Sequence, residues 1–228
     1  MDDLECIICC VNYSDILKET ICYNIKIIKN ITIITCPDDL DTISLCKKYK
    51  LNYIVTNLFY DKTQIHFDIR KCLSPFWWSQ YLDNLNSNCF NKSKAINYGI
   101  KKTNKNWILL IDADIILPTD IKYLNLDKLS KNALYSCKRY VYDTKNDFLK
   151  KENGYYDKWQ FVGFFQLFNK NSNNFTKNYY GYDERFNYAD KSDITFMIKW
   201  HEKKLLNFEV IHLGKTGQNW KGRITDKW

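Results

Sequence analysis

The sequence predicts an α/β fold, a single domain built on a mixed, mainly parallel central sheet flanked by helices. Three observations carry the prediction. Short apolar runs alternate with stretches of helical periodicity through the first part of the chain. Those runs are too uniformly apolar for strands with one wet face, which points to parallel strands covered on both sides. The longest, "WILLIDADIILP" (Trp107–Pro118), carries two aspartates in its middle, and parallel sheets bind ligands beyond the carboxyl ends of their strands.

Leu4–Val11 opens the pattern as a buried strand. It stops at Asn12-Tyr13-Ser14, after which Asp15–Lys29 sets Leu17, Ile21, Ile25 and Ile28 on one helical face. Ile31–Thr35 is a second strand, halted by Pro37-Asp38-Asp39. A helix from about Asp41 to Tyr49 carries Ile43, Cys46 and Tyr49 at helical spacing, and Tyr53–Val55 reads as a third strand. This order implies right-handed βαβ units, a nucleotide-binding arrangement in many α/β folds. Asp61–Cys89, with Pro75-Phe76-Trp77-Trp78, has no clean period and reads as an insertion, partly helical. Periodicity returns over Asn91–Lys102, where Ala95, Ile96, Gly99 and Ile100 share a face, and Trp107–Ile111 follows as the fourth strand. Beyond Pro118 the reading is a strand at Phe161–Phe168, an amphipathic helix at Ser192–Lys204 and a last strand at Leu205–Leu213. Gly214, Gly217 and Gly222 mark an irregular tail. No internal repeat or flexible linker divides the chain.

Composition narrows the partners. At 228 residues, 45% hydrophobic and 16% aromatic, the chain can bury a sizeable core, and its 7 Gly and 3 Pro exclude collagen-like or low-complexity character. The net charge of +8 would suit nucleic acid, an anionic membrane or a phosphorylated small molecule. Its lysines are scattered in pairs such as Lys47-Lys48 and Lys203-Lys204, however, which is the pattern of a solvated surface. Nine cysteines sit mostly in apolar runs. Cys6 and Cys9 have C-x-x-C spacing but no second pair and no nearby His, which argues against zinc or redox chemistry. No signal peptide or membrane-spanning run is expected, so the chain reads as cytoplasmic with reduced thiols. Heavy use of Asn, Lys, Ile and Tyr suggests an AT-rich genome, as in giant viruses and low-GC microbes; the compartment would then be the host cytoplasm.

Asp112 and Asp114 lie at the carboxyl end of their strand, and two residues apart they would project to one side of an extended segment. Such a pair can hold Mn²⁺ or Mg²⁺ and through it a diphosphate, though it can equally cap the next turn. What precedes it is more specific. In "FNKSKAINYGIKKTNKNWILLIDAD" (Phe90 to Asp114) an Asn-Lys-x-x-Ala-x-Asn-x-Gly helix leads through a short loop into a strand ending in D-x-D. This stretch resembles the GT-A glycosyltransferases, Rossmann-like enzymes, and particularly their family 2-like members. With "GFFQLF", "ITF", "HLG" and "NWKGR" further on, it is similar to small bacterial, phage and giant-virus proteins of that type. The likeness covers most of the chain outside 61–89.

The resemblance implies a nucleotide-sugar donor, usually a UDP-sugar, bound by residues 1–116, with a sugar or glycan acceptor on residues 117–228. It implies nucleotide-sugar contacts at Asn12, Tyr13, Asp38 or Asp39, Lys92, Asn97 and Asp112, and metal ligation by Asp112, Asp114 and His212. Lys215, Lys221 and Arg223 of the tail would close on the diphosphate. A carboxylate opening a late helix would act as general base: Asp193, followed six residues on by Lys199, with Asp190 and then Glu184 as rivals. Its place at a helix N-terminus would favour the anion. Trp159, Phe164 and Gln166, with Trp77-Trp78, are candidates for the acceptor side. The expected activity is a metal-dependent, inverting hexosyl transfer to a sugar acceptor. A transferase acting on hydroxymethylated DNA bases, a non-catalytic nucleotide-sugar or carbohydrate-binding module and a nucleotidyltransferase stay open beside it. DNA is disfavoured by the lack of a basic stripe, and nucleotidyl transfer by the lack of a Gly-rich basic loop after the first strand.

Overall fold

The computed structural model describes residues 2–62, 89–177, 181–189, 191–219 and 222–228. The elements in chain order are β1 (Leu4–Cys9), α1 (Ser14–Asn24), β2 (Ile31–Thr35), α2 (Leu40–Tyr49), β3 (Asn52–Val55), α3 (Lys92–Lys102), β4 (Trp107–Asp112) and β5 (Ile115–Ile116). There follow β6 (Ala133–Tyr142), α4 (Lys145–Lys150), β7 (Tyr155–Asp157), β8 (Phe165–Asn169), α5 (Asn173–Lys177), α6 (Ser192–Ile198) and β9 (Glu202–Leu213). Short 3₁₀ turns fill Leu58–Tyr60, Thr119–Tyr123 and Leu126–Lys128.

One nine-stranded sheet runs β3-β2-β1-β4-β8-β6-β9-β5, with β7 added beside β6. Pairing is parallel through β3-β2-β1-β4 and again between β6 and β9, and these ladders together hold most of the paired residues. It is antiparallel at β4–β8, β6–β8, β6–β7 and β5–β9. Helices α1 and α2 bury Leu17, Ile21, Leu45 and Cys46 on one face of the sheet, against Ile8, Ile33 and Leu109. On the other face α3 and α6 bury Ile96, Ile100 and Phe196, with Trp200 just beyond α6, against Ile7, Ile34 and Phe168. The mixed α/β sandwich expected from the apolar runs is therefore present, and each large buried side chain contributes about 1.5–3 kcal/mol.

Local chemistry sets the ends of these elements. Asp39 caps α2 by accepting from Thr42 N at 3.1 Å, and Lys50 closes that helix in the left-handed region at φ 54. Asn91 caps α3 from Lys94 N at 3.0 Å. Gly99 lets α3 lie directly on the sheet, since a Cβ there would overlap the Ile34 side chain.

Several boundaries differ from expectation. Helix α1 stops at Asn24, short of Lys29, because the buried Asn24 amide leaves the helix to serve β5. It donates to Ile115 O at 2.8 Å and accepts from Leu117 N at 2.9 Å. The helix expected over Ser192–Lys204 ends at Ile198. Trp200 is drawn into the aromatic cluster with Phe168 and Phe196, and Glu202–Lys204 begin β9 against Ala133–Tyr135. A sheet edge here overrides helical periodicity. Strand β8 starts only at Phe165, because Phe161 sits at φ 61 and the N–H of Gly163 turns to a side chain, away from the ladder. Strands β5, β6 and β7 had no counterpart in the sequence reading. The expected insertion, its Trp77-Trp78 pair, Asp190 and Lys221 lie outside the described residues, apart from the insertion's ends at Asp61, Lys62 and Cys89.

Candidate active site

Parallel register brings the carboxyl ends of β1 and β4 level, with Cys9 opposite Asp112. Beyond them opens a cavity of about 490 Å³. The residues brought together on its wall include Tyr13, Lys92, Asp112, Asp114, Trp159, Phe164, Asp193, His212, Lys215 and Arg223. Asn12, Asp38, Asp39, Asn97 and Gln166 are not among the lining residues.

The first carboxylate, Asp112, is ion-paired with Lys92 of α3. Burial works against the Lys92 ammonium, but Asp112, Cys9 and Asp193 around it outweigh that and hold its pKa above the ordinary value. Burial pushes the neighbouring Cys9 thiol up to about 12, so it stays neutral. Asp114 follows in the turn after β4 and faces His212, with Oδ2 3.4 Å from Nε2. The imidazole is placed by two registers, against Ile115 on β5 and Val141 on β6. Burial raises the Asp114 pKa, and the Asp112 charge adds to it, against the pull of His212.

A divalent ion is tested here by the donors themselves. Asp114 Oδ1 and His212 Nδ1 are buried and have no hydrogen-bond partner among the described residues. Among those residues no group of three His, Cys, Asp or Glu stands close enough to hold an ion as placed. Asp114 and His212 stand as a donor pair, with Asp112 two residues from Asp114 and turned to Lys92.

Asp193 opens α6 and lines the same cavity. Its Oδ2 accepts from Gly163 N at 2.6 Å and its Oδ1 from its neighbour Ile194 N at 2.8 Å. The expectation that a helix start would lower its pKa is reversed: burial raises it, and the two N–H groups only partly offset that. The supporting residues are rigid. Gln166 donates to Phe161 O at 2.7 Å and accepts from the Tyr182 hydroxyl, behind Asp193. Asn97 is buried and ties α3 to Tyr182 N at 2.8 Å and to Glu184 Oε1 at 2.8 Å. Both amides are committed to the scaffold. Asp39, also buried, accepts from Asn12 N at 2.7 Å and Thr35 Oγ1 at 3.2 Å, and so shapes the β1–α1 loop that presents Tyr13. Asp38 is exposed beside it.

Arg223 lines the cavity but is engaged by the protein. Its guanidinium pairs with Asp15, donates to Asn12 O at 2.9 Å and lies 4.7 Å over the Tyr13 ring. The tail is thereby strapped to the start of α1. Lys215 is exposed at the rim. Two lining residues escaped the sequence reading: Arg139 of β6 and Asp157 of β7, joined at 2.6 Å. The signal that could have found them is the run "KRYVY", an aromatic and β-branched stretch with a lone Arg.

The sequence pattern described as glycosyl transferase family 2 matches residues 84–211. That span holds Lys92, Asp112, Asp114 and Asp193 and stops one residue short of His212. Comparison with curated proteins finds no match in sequence. Among solved structures, S. aureus TarS 1-349 in complex with UDP-GlcNAc aligns with a TM-score of 0.57 at 12% identity, over 94% of this chain and 59% of that one. TarS 1-349 alone gives 0.59 at 11% identity, over 92% and 60%. Glucosyl-3-phosphoglycerate synthase from Mycobacterium tuberculosis with UDP gives 0.52 at 9% identity, over 95% and 72%. The chain thus spans about three-fifths of the TarS fragment's length, and at these identities the likeness is one of fold.

Proposed function

The chain belongs to glycosyl transferase family 2, and from that premise we propose that it is a metal-dependent, inverting glycosyltransferase that moves a sugar from a UDP-sugar to a sugar or glycan acceptor. The observation that carries this reading is the convergence of Asp112, Asp114 and Asp193 on one cavity wall with Lys92 and His212. A set of half-buried carboxylates facing one cavity costs stability unless a ligand or a reaction uses it.

The parts have distinct work. Tyr13 and the β1–α1 loop would receive the nucleoside, as the UDP-bearing relatives of this fold suggest. Asp114 and His212 would hold a divalent cation with Asp112 beside them, and that ion would supply charge neutralisation for the diphosphate. Lys92 balances Asp112, and Lys215 at the rim can meet a phosphate oxygen. Asp193 is the general base. It takes the proton of the attacking hydroxyl as the new bond to the anomeric carbon forms and the bond to the diphosphate breaks. The N–H groups of Gly163 and Ile194 fix the direction of its lone pairs. Its raised pKa makes it a better proton acceptor than an exposed aspartate. Among the described residues no helix is long and apolar enough to cross a membrane.

Thermal denaturation with Mn²⁺, UDP and both tests the reading. At a hundredfold excess over Kd a ligand adds about 2.7 kcal/mol, roughly 5–10 °C for a chain of this size. The two together are expected to exceed either alone, and Asp114→Asn to abolish the gain. A screen of nucleotide-sugars for Mn²⁺-dependent hydrolysis would then name the donor. No shift with any UDP- or GDP-sugar plus metal overturns the proposal.

A further inference from the structure

Arg139 and Asp157 form a feature of the cavity that the transfer chemistry above does not use. They stand directly opposite each other in the β6–β7 pairing, and Arg139 Nη2 donates to Asp157 Oδ2 at 2.6 Å. Their side chains are only 8% and 9% exposed. The guanidinium lies flat on the Phe164 ring, 4.3 Å from its centroid. Among the described residues Nη2 makes its one hydrogen bond, and the buried Nε has no partner. A guanidinium carries several N–H donors in a fixed fork, and an Arg at the cavity wall with most of them unused is built to receive an oxygen. Asp157 is likewise part-filled: its Oδ1 accepts from Trp159 N at 2.8 Å, and each carboxylate oxygen has a further lone pair. Trp159 itself lines the cavity with 60% of its surface exposed.

We propose that Arg139, Asp157 and Trp159 form the acceptor subsite, which grips an uncharged sugar ring through a pair of adjacent hydroxyls. The proposal rests on the glycosyltransferase reading and adds to it the class of acceptor. Charge decides against an anion. Asp157 cancels Arg139 within a hydrogen bond's length, so the pair offers donors and acceptors side by side with no net charge. A hydroxyl both donates and accepts and satisfies such a pair. A phosphate or carboxylate only accepts and would meet the Asp157 carboxylate beside Arg139. The indole face of Trp159, whose backbone N–H donates to Asp157, supplies an apolar surface for the C–H face of the ring. The subsite is also joined to the base. Phe164, under Arg139, directly follows Gly163, whose N–H holds Asp193. Arg139 and Asp193 are thus joined through neighbouring residues of one segment and line one cavity.

Saturation-transfer NMR with methyl glycosides of glucose, galactose, mannose and N-acetylglucosamine tests this, run with and without UDP and Mn²⁺. Glucuronate and inorganic phosphate serve as anionic probes. At least one neutral glycoside is expected to bind the wild-type chain. Arg139→Gln, Asp157→Asn and Trp159→Ala should each lose about tenfold or more of that affinity, since a site built for hydroxyls is left with unpaired groups. UDP affinity should stay within about twofold in each, because none of the three meets the nucleotide. Trp159→Ala removes an exposed side chain, so it reports even if the buried pair proves needed for folding. Preference for glucuronate or phosphate, strengthened in Asp157→Asn, would overturn the proposal; so would glycoside binding that is indifferent to the three substitutions, or none in the wild type. Failure of UDP to bind with Mn²⁺ would instead strike the glycosyltransferase reading, while the glycoside titrations without UDP still decide the subsite.

Discussion

Asp193→Asn separates the proton-accepting role of this residue from its structural one. In the wild type both carboxylate oxygens accept backbone N–H groups, from Gly163 at 2.6 Å and Ile194 at 2.8 Å. An amide keeps the shape and one acceptor, and turns its NH₂ toward the other N–H. Losing a hydrogen bond to a charged acceptor costs about 1.5–3 kcal/mol, but the substitution also removes a charge that burial already disfavours. The two effects oppose each other, so the melting temperature should change little. The rate should not be spared. A positioned base contributes about 10²–10⁴-fold, or roughly 2.7–5.5 kcal/mol at 1.36 per tenfold, and that loss should fall on kcat with donor KM unchanged. The pH profile gives an independent reading. Because the base works only when ionised, wild-type activity is lost as pH falls through the Asp193 pKa, which burial raises above 3.8. Asp193→Asn should lack that acid limb. UDP release from the identified UDP-sugar, followed from pH 4 to 8 with and without acceptor, measures both. A variant within about tenfold of wild type, or one that keeps the limb, refutes the assignment.

Three further substitutions probe the frame of the site. A Cβ on Gly163 would meet Asp193 Oδ2 at 3.2 Å, so Gly163→Ala should push the carboxylate by a few tenths of an ångström; kcat should drop roughly tenfold with near-normal melting, and an unchanged kcat would count against Gly163 as its positioner. Asn24→Ala strips the bridge to Ile115 O and Leu117 N and should cost about 1–3 kcal/mol by urea denaturation. Arg223→Ala frees the tail from Asp15 and should speed tryptic cleavage near Lys215. Burial works against the Asp15 anion, but Arg223 and the N–H groups of Trp228 and Ile16 hold its pKa below 3.8. The pair's stabilisation is therefore full above that value and lost as pH falls through the folded pKa, so wild type and variant should converge in strong acid.

The first half of the fold was legible because each strand there is read locally. Ile31–Thr35 was bounded correctly by its own residues, and α2 and α3 came within one residue of their ends, since Asp39 and Asn91 are caps that sequence rules recognise. Beyond Pro118 the determinants are long-range. Glu202–Lys204 continue a helical pattern in sequence and become strand only because Ala133–Tyr135 offers a parallel edge. Strand β5 is two residues long and exists through Asn24 and His212, neither of which is near it in the chain.

The site divides along the same line. Residue types at strand and helix ends could be read in advance, and Asp112, Asp114, Asp193 and His212 do meet on one wall. What each one touches could not, because among the described residues every Lys and Arg lining the cavity except the exposed Lys215 is bound to a carboxylate from another element: Lys92 to Asp112, Arg139 to Asp157, Arg223 to Asp15. The chain's net charge of +8 is therefore a property of its outer surface and says little about the cavity, whose wall is held near neutrality by these pairs. That is why composition pointed weakly to nucleic acid while the cavity pairs most of its cations internally. It also explains the misplacement of Arg223. A tail arginine beside a Gly-rich stretch looks free to close on phosphate, yet its strongest partner, Asp15, is an ordinary first-turn acid whose importance appears only when the two ends of the chain are brought together.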